Sequence, residues 1–268
     1  MADATGAPPP PPPLAVEVVD THCHLDLMAG SVEDAVAAAQ AVGVRRLVTI
    51  GIDVPTSRWA AETAGRYADV YAGAAIHPNE ANTADEAAWA EIAGLAELPQ
   101  VRAVGETGLD YYRDSAPPCR QQESFRRHIA IAAATGTALV IHDREAHADV
   151  LRILTEEGAP ERTVFHCFSG DAAMARTCAE RGYFMSFAGN VTFNNAGRLR
   201  EAAAAAPLEL LLVETDAPFL TPTPFRGRPN APYLVPLTVR ALAQVKDVEV
   251  DTLAAALGAN SERVFGPW

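Results

Sequence analysis

The sequence predicts a (β/α)8 barrel in a single domain, and three observations support this fold class. Eight strand-like runs each precede helix-like sequence, an alternation typical of a parallel sheet. The length of 268 residues fits one barrel of about 250 residues. Candidate metal ligands recur at the ends of these runs, where a parallel α/β enzyme collects its functional side chains. An open doubly wound sheet is the alternative, although neither a GxGxxG motif after the first strand nor a P-loop is present.

The predicted strands follow short runs rich in β-branched and apolar residues, and helix-like stretches separate them. The strands are expected at 16–20, 44–52, 70–76, 101–106, 138–142, 163–168, 183–187 and 209–215. The helices are expected at 31–42, 56–67, 84–97, 118–135, 144–157, 171–181, 195–206, 235–246 and 250–259.

Local signals support several helix boundaries. Ser31, followed by Glu33 and Asp34, is typical of a first helical turn. Pro118 suits the first position of the long fourth helix, and Gly136 and Gly258 stand where helices are expected to end.

The first 13 residues, MADATGAPPPPPP, are of low complexity. A run of six prolines favours an extended polyproline conformation and is not expected to join a core. The sequence therefore predicts a disordered proline-rich tail at 1–13 and a hydrolase barrel at 14–268.

Bulk composition narrows the function classes. The net charge of −13 argues against a general nucleic-acid coat, which would show a basic face. It does not exclude a nuclease, because bound divalent cations invert the local field in a pocket. No apolar run reaches the ~20 residues of a membrane span, and no signal peptide is recognisable. We therefore expect a cytoplasmic protein with no membrane association and no obligate protein partner.

Six side chains with metal-binding chemistry lie at or near the ends of the predicted strands. They are His22 and His24 in VDTHCHLD, Glu106 in GETGLD, His142 in VIHDRE, His166 in FHCFSG and Asp216 in ETDAP. Four imidazoles and two carboxylates are enough for two divalent ions, so the pattern indicates a metal-dependent hydrolase. An isolated histidine or glutamate at any one of these positions would more simply be a core or loop residue.

The residue types and positions suggest separate roles. His22 and His24 are two residues apart and would face one ion from the same side of a strand. Glu106 can bind one ion with each oxygen, so it is the candidate bridge. His142 and His166 are assigned to the second ion. Asp216 is expected beside the first histidine pair as ligand and general base, and Glu214 is a candidate to orient a histidine from behind.

Further residues are candidates for substrate contact. His77 ends the third predicted strand and could touch the substrate. Arg226 and Arg228 lie in the loop after the eighth strand, where barrels of this class often hold phosphate. Arg113 and Arg144 also lie just beyond strand ends. The alternative for all four arginines is a solvated or salt-bridged loop position.

The chain resembles the TatD family of metal-dependent deoxyribonucleases, within the amidohydrolase-like barrels. The resemblance rests on VDTHCHLD, IHPN, GETGLDYY, RQQESFRRH, IHDREA, HCFSG, ETDAPFL, FRGRPN and NSERVFG, in this order over residues 18 to 265. It implies one ion held by His22, His24, Glu106 and Asp216, and the other held by Glu106, His142 and His166.

The resemblance also implies metal-dependent hydrolysis of DNA phosphodiester bonds. We expect two Mg²⁺, Mn²⁺ or Zn²⁺ ions to activate the attacking water, with Asp216 as proton acceptor. We expect exonucleolytic action on single-stranded or frayed ends, because a barrel mouth is narrow. An esterase, lactonase or amidase using the same dinuclear site is the enzymatic alternative. A metal-stabilised scaffold is the non-enzymatic alternative, although structural zinc sites favour cysteine ligands.

Overall fold

The computed structural model describes residues 6–113 and 115–268, and its eight strands form one sheet. Their order in the sheet is their order in the chain. The strands are β1 Val18–Cys23, β2 Val44–Ile50, β3 Val70–Ala74, β4 Val101–Asp110, β5 Ala138–Arg144, β6 Thr163–Phe165, β7 Phe184–Phe187 and β8 Leu211–Val213. The segment after β8 returns to β1 through a parallel bridge between Cys23 and Ala217. This topology confirms the predicted (β/α)8 fold class over the open doubly wound alternative.

The described residues form nine α-helices, one after each of β1 to β7 and two after β8. They are α1 Val32–Gln40, α2 Val54–Ala64, α3 Glu86–Ala96, α4 Pro118–Thr135, α5 His147–Glu157, α6 Ala172–Glu180, α7 Gly197–Ala205, α8 Val235–Lys246 and α9 Val250–Phe265. Ser31 caps α1 by accepting a hydrogen bond from the Asp34 amide at 3.0 Å. Gly136 ends α4 in the left-handed conformation. The helix stop expected at Gly258 is wrong, because α9 continues through this residue to Phe265.

Strand β4 extends furthest beyond its predicted end. It continues beyond Glu106 to Asp110, pairing Gly108 with His142 and Asp110 with Arg144 of β5. Gly108 has φ +132°, and a Cβ at this position would lie 2.1 Å from the carbonyl oxygen of His142. Glycine therefore permits the close approach of the two strands that carry Glu106 and His142.

The chain divides into two compact units. The first contains Met1–Val48 and Gly170–Glu262, and the second contains Thr49–Ser169 and Arg263–Trp268. Fully buried residues such as Phe187 and Leu212 form the core of the first unit, and Phe125, Leu139 and Ile141 form that of the second. Among the described residues, no helix combines the length and hydropathy needed to cross a membrane.

Residues 6–13, part of the predicted disordered tail, pack against their own unit. Residues 1–5 lie outside the described part of the chain. Pro8, Pro11 and Leu14 are buried and the residues between them are exposed. This spacing of three residues matches one turn of a polyproline helix. Proline lacks an amide donor, but its carbonyl oxygens are free to accept hydrogen bonds. The segment packs because side chains of its own unit donate hydrogen bonds to these carbonyl oxygens.

Three side chains donate to these carbonyl groups. Arg228 donates to Gly6 and Ala7 at 2.8 Å each. Tyr233 donates to Pro8 at 2.6 Å. Arg240 donates to Pro12 at 2.8 Å and Pro13 at 3.1 Å. The described part of the proline-rich segment is therefore held by side-chain-to-backbone hydrogen bonds.

Candidate metal centre

The first cluster of potential ligands lies where β1 meets the segment after β8. The Asp216 amide donates to the His22 carbonyl at 2.9 Å, and the His24 amide donates to that of Ala217 at 2.8 Å. This pairing places Asp216 Oδ1 3.9 Å from His22 Nε2 and 3.5 Å from His24 Nε2. Both histidines are buried, whereas the Asp216 side chain is 15% exposed. The structure therefore brings these three predicted residues together, with the carboxylate toward solvent.

The backbone around Asp216 is specialised for this arrangement. Asp216 adopts φ +55°, a left-handed conformation that aspartate tolerates better than most residues. The preceding Thr215 donates to Asp20 through its amide at 2.9 Å and its hydroxyl at 2.6 Å. Asn230 donates to the Thr215 carbonyl at 2.9 Å. These bonds fix the chain on the amino-terminal side of Asp216.

Two buried acids lie behind this cluster. Burial raises the pKa of Asp20 to about 8, against the opposing effect of its bonds from Thr215. Glu214 is fully buried, and its amide donates to Phe187. That Glu214 orients a histidine stays a prediction.

The second cluster surrounds one oxygen of Glu106. Its Oε1 lies 2.7 Å from His142 Nδ1, 2.8 Å from His166 Nε2 and 3.5 Å from His77 Nε2. Glu106 lies within β4 and His142 within β5, whereas His166 directly follows β6. Glu106 and His142 were expected at the ends of their strands, so for both the strand continues further than predicted.

The electrostatics of this cluster follow from one buried carboxylate among imidazoles. Burial by itself would raise the pKa of Glu106, but His166, His77 and His142 together hold it well below its usual range. Burial would lower the pKa of His142, but the hydrogen bonds that its ring makes to Asp110 and Glu106 raise it. For His77, burial prevails over the attraction of Glu106 and the pKa is lowered. The cluster therefore keeps Glu106 ionised.

Asp110 also belongs to the second cluster, although it was not predicted from the sequence. Its Oδ2 lies 3.1 Å from His142 Nε2, on the side of the ring away from Glu106. Its Oδ1 accepts from the amides of Tyr112 and Arg113 at 3.0 and 2.9 Å. A carboxylate behind a ligating histidine fixes the ring and raises its basicity. The spacing from Glu106 to Asp110 in one strand, which gives both residues the same face, could have revealed it.

The residues predicted to contact the substrate lie in different surroundings. His77 lies in the second cluster, and its Nδ1 accepts from the Asn79 amide at 3.1 Å. The Arg226 guanidinium lies over the Phe193 ring, 4.3 Å from its centroid. Arg228 donates to the Gly6 and Ala7 carbonyls. Phosphate contact by these residues stays a prediction, and in this structure Arg228 is engaged by the proline-rich segment.

The donor chemistry of both clusters fits divalent metal ions. In the second cluster, ligand atoms of His77, Glu106 and His142 all lie within 4.8 Å of one another. Imidazole nitrogen and carboxylate oxygen together suit Zn²⁺ or Mn²⁺, and carboxylate oxygen suits Mg²⁺. Histidine and carboxylate ligands without a complete cysteine shell are typical of catalytic rather than structural sites.

Comparisons with known proteins agree with this chemistry. The family model described as TatD related DNase matches residues 19–266. The uncharacterized metal-dependent hydrolase TatD of Mycobacterium tuberculosis is 45% identical over 258 residues, which cover 93% of this chain and 98% of that protein. The 3'-5' ssDNA/RNA exonuclease TatD of Klebsiella pneumoniae is 34% identical over 241 residues, covering 87% of this chain and 91% of the relative.

A solved structure shows the same fold. The crystal structure of the TatD homolog YjjV of Escherichia coli K12 has a TM-score of 0.88 and 28% sequence identity with this chain. The match covers 92% of this chain and 97% of that one.

Proposed function

We propose, from the premise that this chain belongs to the TatD-related DNase family, that it hydrolyses phosphodiester bonds of single-stranded DNA from an end. The chain is a metal-dependent hydrolase. The observation that carries the finer proposal is the Glu106 carboxylate, 2.7 Å from His142 and 2.8 Å from His166. A relative named as a 3'-5' ssDNA/RNA exonuclease supports single-stranded nucleic acid as the substrate class. A cytoplasmic location stays a prediction.

We assign two divalent ions to the six predicted ligands. His22, His24 and Asp216 would hold one ion, and His142 and His166 the other, with Glu106 shared between them. Such a pair supplies Lewis acidity that makes water more acidic and polarises a phosphoryl oxygen.

The remaining roles belong to the side chains. Asp216 has the most exposed side chain of its cluster, at 15%, and it accepts the proton of the attacking water. Asp110 holds the His142 ring in place through its 3.1 Å contact. Glu106 stays ionised because three imidazoles lie around it. The buried position of Glu106 and His166 keeps competing water away from the ligands.

The test combines metal analysis with product mapping on end-labelled single-stranded DNA. Wild-type protein should contain or bind two equivalents of Mn²⁺ or Zn²⁺ and shorten the labelled strand from one end. Glu106→Ala should lower metal content and remove most turnover. Glu201→Ala, which changes an exposed acid in α7, is the matched control and should behave like wild type.

Other outcomes would contradict the proposal. Wild-type-like DNA hydrolysis by Glu106→Ala across a full metal titration would exclude the shared ligand. Hydrolysis of lactones or esters, with no cleavage of DNA or RNA under any of the three metals, would favour the amidohydrolase-like alternative. Metal-dependent folding without turnover of any substrate would favour a scaffold.

A further inference from the structure

An exposed aromatic ring stacked on an arginine stands just beyond the second ligand cluster. Tyr112 is 61% exposed, although the Arg144 guanidinium lies over its ring, 3.9 Å from the centroid. Among the residues that the structure describes, Arg144 has no carboxylate partner within salt-bridge distance. The neighbouring Tyr111 is tied down instead, because its hydroxyl donates to Asp149 at 2.7 Å. Tyr112 therefore presents a preoriented ring to solvent, and the Arg144 cation lies against that ring.

The pair is rigidly connected to the candidate metal ligands. Arg144 ends β5 two residues beyond His142 and pairs in register with Asp110. The Tyr111 amide donates to the Arg144 carbonyl at 2.9 Å and extends this pairing. Asp110 accepts from the Tyr112 amide with one oxygen and contacts His142 with the other. Two residues of strand correspond to about 7 Å, a separation on the scale of one nucleotide.

We propose that Tyr112 and Arg144 form a subsite for the nucleotide next to the bond that is cleaved. The Tyr112 ring stacks on an unpaired base, and the Arg144 guanidinium binds the adjoining phosphate. This inference rests on the proposed function and adds to it a specificity determinant. A base inside a duplex has both faces covered by its neighbours, so the subsite selects single-stranded or frayed ends.

The charge of the protein favours recognition of this kind. A net charge of −13 repels the phosphate backbone at long range. This protein therefore has less of the salt-dependent attraction on which most nucleic-acid-binding proteins rely. Stacking on an aromatic side chain does not depend on net charge, and every base has a face that can stack. An acidic nuclease therefore gains more from a stacking residue than a basic one does.

The experiment measures kcat and KM of the full-length, Mn²⁺-loaded protein on two labelled oligonucleotides. One is a twelve-nucleotide oligothymidylate, and the other carries abasic residues at the three terminal positions of both ends. The variants are Tyr112→Ala, Tyr112→Phe and Leu98→Ala. Leu98 is 38% exposed and precedes β4 at its opposite end, so it serves as the matched control.

We expect Tyr112→Ala to raise KM on the normal oligonucleotide on the order of tenfold. The same substitution should have a much smaller effect on the abasic oligonucleotide, because no base is left to stack. Tyr112→Phe keeps the ring and should restore binding, and Leu98→Ala should match wild type on both substrates.

Three results would overturn the inference. Equal losses on both oligonucleotides would show a structural role for Tyr112, and an unchanged KM for Tyr112→Ala would show no contact with the base. If the wild type cleaved neither oligonucleotide, the proposed function would be overturned as well. Cleavage by the wild type with no effect of the Tyr112 substitutions would overturn the subsite alone.

Discussion

His128 should make the protein less stable as the pH drops below 7, because its buried ring is held in the neutral form. The side chain is fully buried in α4, and its Nε2 accepts from the Ile76 amide at 3.0 Å. Its Nδ1 lies 2.8 Å from the Ser124 carbonyl and from the Thr107 hydroxyl. A proton on Nε2 would face the Ile76 amide donor. Burial lowers the pKa of His128 from 6.5 to about 4, against the opposing bond to Ser124.

The size of the effect follows from proton linkage. The unfolded chain takes up a proton at His128 near pH 6.5 and the folded chain only near pH 4, so acidification favours unfolding between these values. The pKa difference of about 2.5 corresponds to about 3 kcal/mol once the pH is below 4. Between pH 7 and pH 5 the loss is about 2 kcal/mol. This loss of stability disappears as the pH rises above 6.5, where the ring is neutral in the folded and the unfolded chain.

Comparison with His128→Gln isolates this residue from every other titrating group. Glutamine does not ionise, and its carbonyl oxygen can still accept from the Ile76 amide. We expect urea unfolding to show a less stable variant at pH 7 and a gap that narrows by about 2 kcal/mol at pH 5. Parallel stability curves for the two proteins over this range would refute the reasoning.

Three further changes have defined outcomes. Asp110→Asn should weaken binding of the second metal about 10- to 100-fold, because the charge behind His142 is lost, and isothermal titration with Mn²⁺ measures this. Tyr233→Phe should lower the free energy of unfolding by about 1 kcal/mol through the lost bond to Pro8, as urea denaturation would show. Gly108→Ala should lower the melting temperature and metal occupancy together, because the added Cβ would collide with the His142 carbonyl; a variant with both unchanged would contradict the close approach of the strands.

The order of strands and helices could be predicted from the sequence because parallel strands are buried and precede helices of matching periodicity. The candidate ligands could be placed near strand ends for the same reason, since His166 follows an apolar run directly and Asp216 follows one after two residues. The length of β4 could not, because Gly108 and Asp110 are unfavourable in strands by propensity. Only the pairing with β5 shows why the strand continues.

Other features depend on partners that are distant in the sequence. His128 lies mid-helix and resembles any polar residue there, yet it joins the backbone of Ile76 to the side chain of Thr107. Ile76 directly precedes His77, and Thr107 directly follows Glu106. The packing of the proline-rich segment could not be predicted either, because its contacts use backbone carbonyl groups, which every sequence carries. Its acceptors find Arg228 and Tyr233 only in the folded chain.

Metal binding by the second cluster should release protons, because His142 contacts carboxylates through both ring nitrogens. Nδ1 lies 2.7 Å from Glu106 and Nε2 lies 3.1 Å from Asp110, and these two acids raise the pKa of the imidazole. A metal ion needs the unprotonated nitrogen, so it must displace a proton. We therefore expect the affinity for Mn²⁺ to fall as the pH falls from 8 to 6, and the binding heat to vary with the ionisation enthalpy of the buffer. Asp110→Asn should release fewer protons than wild type under the same conditions. A binding heat that is the same in all buffers would show that His142 is already neutral, and the role assigned to Asp110 would then be wrong.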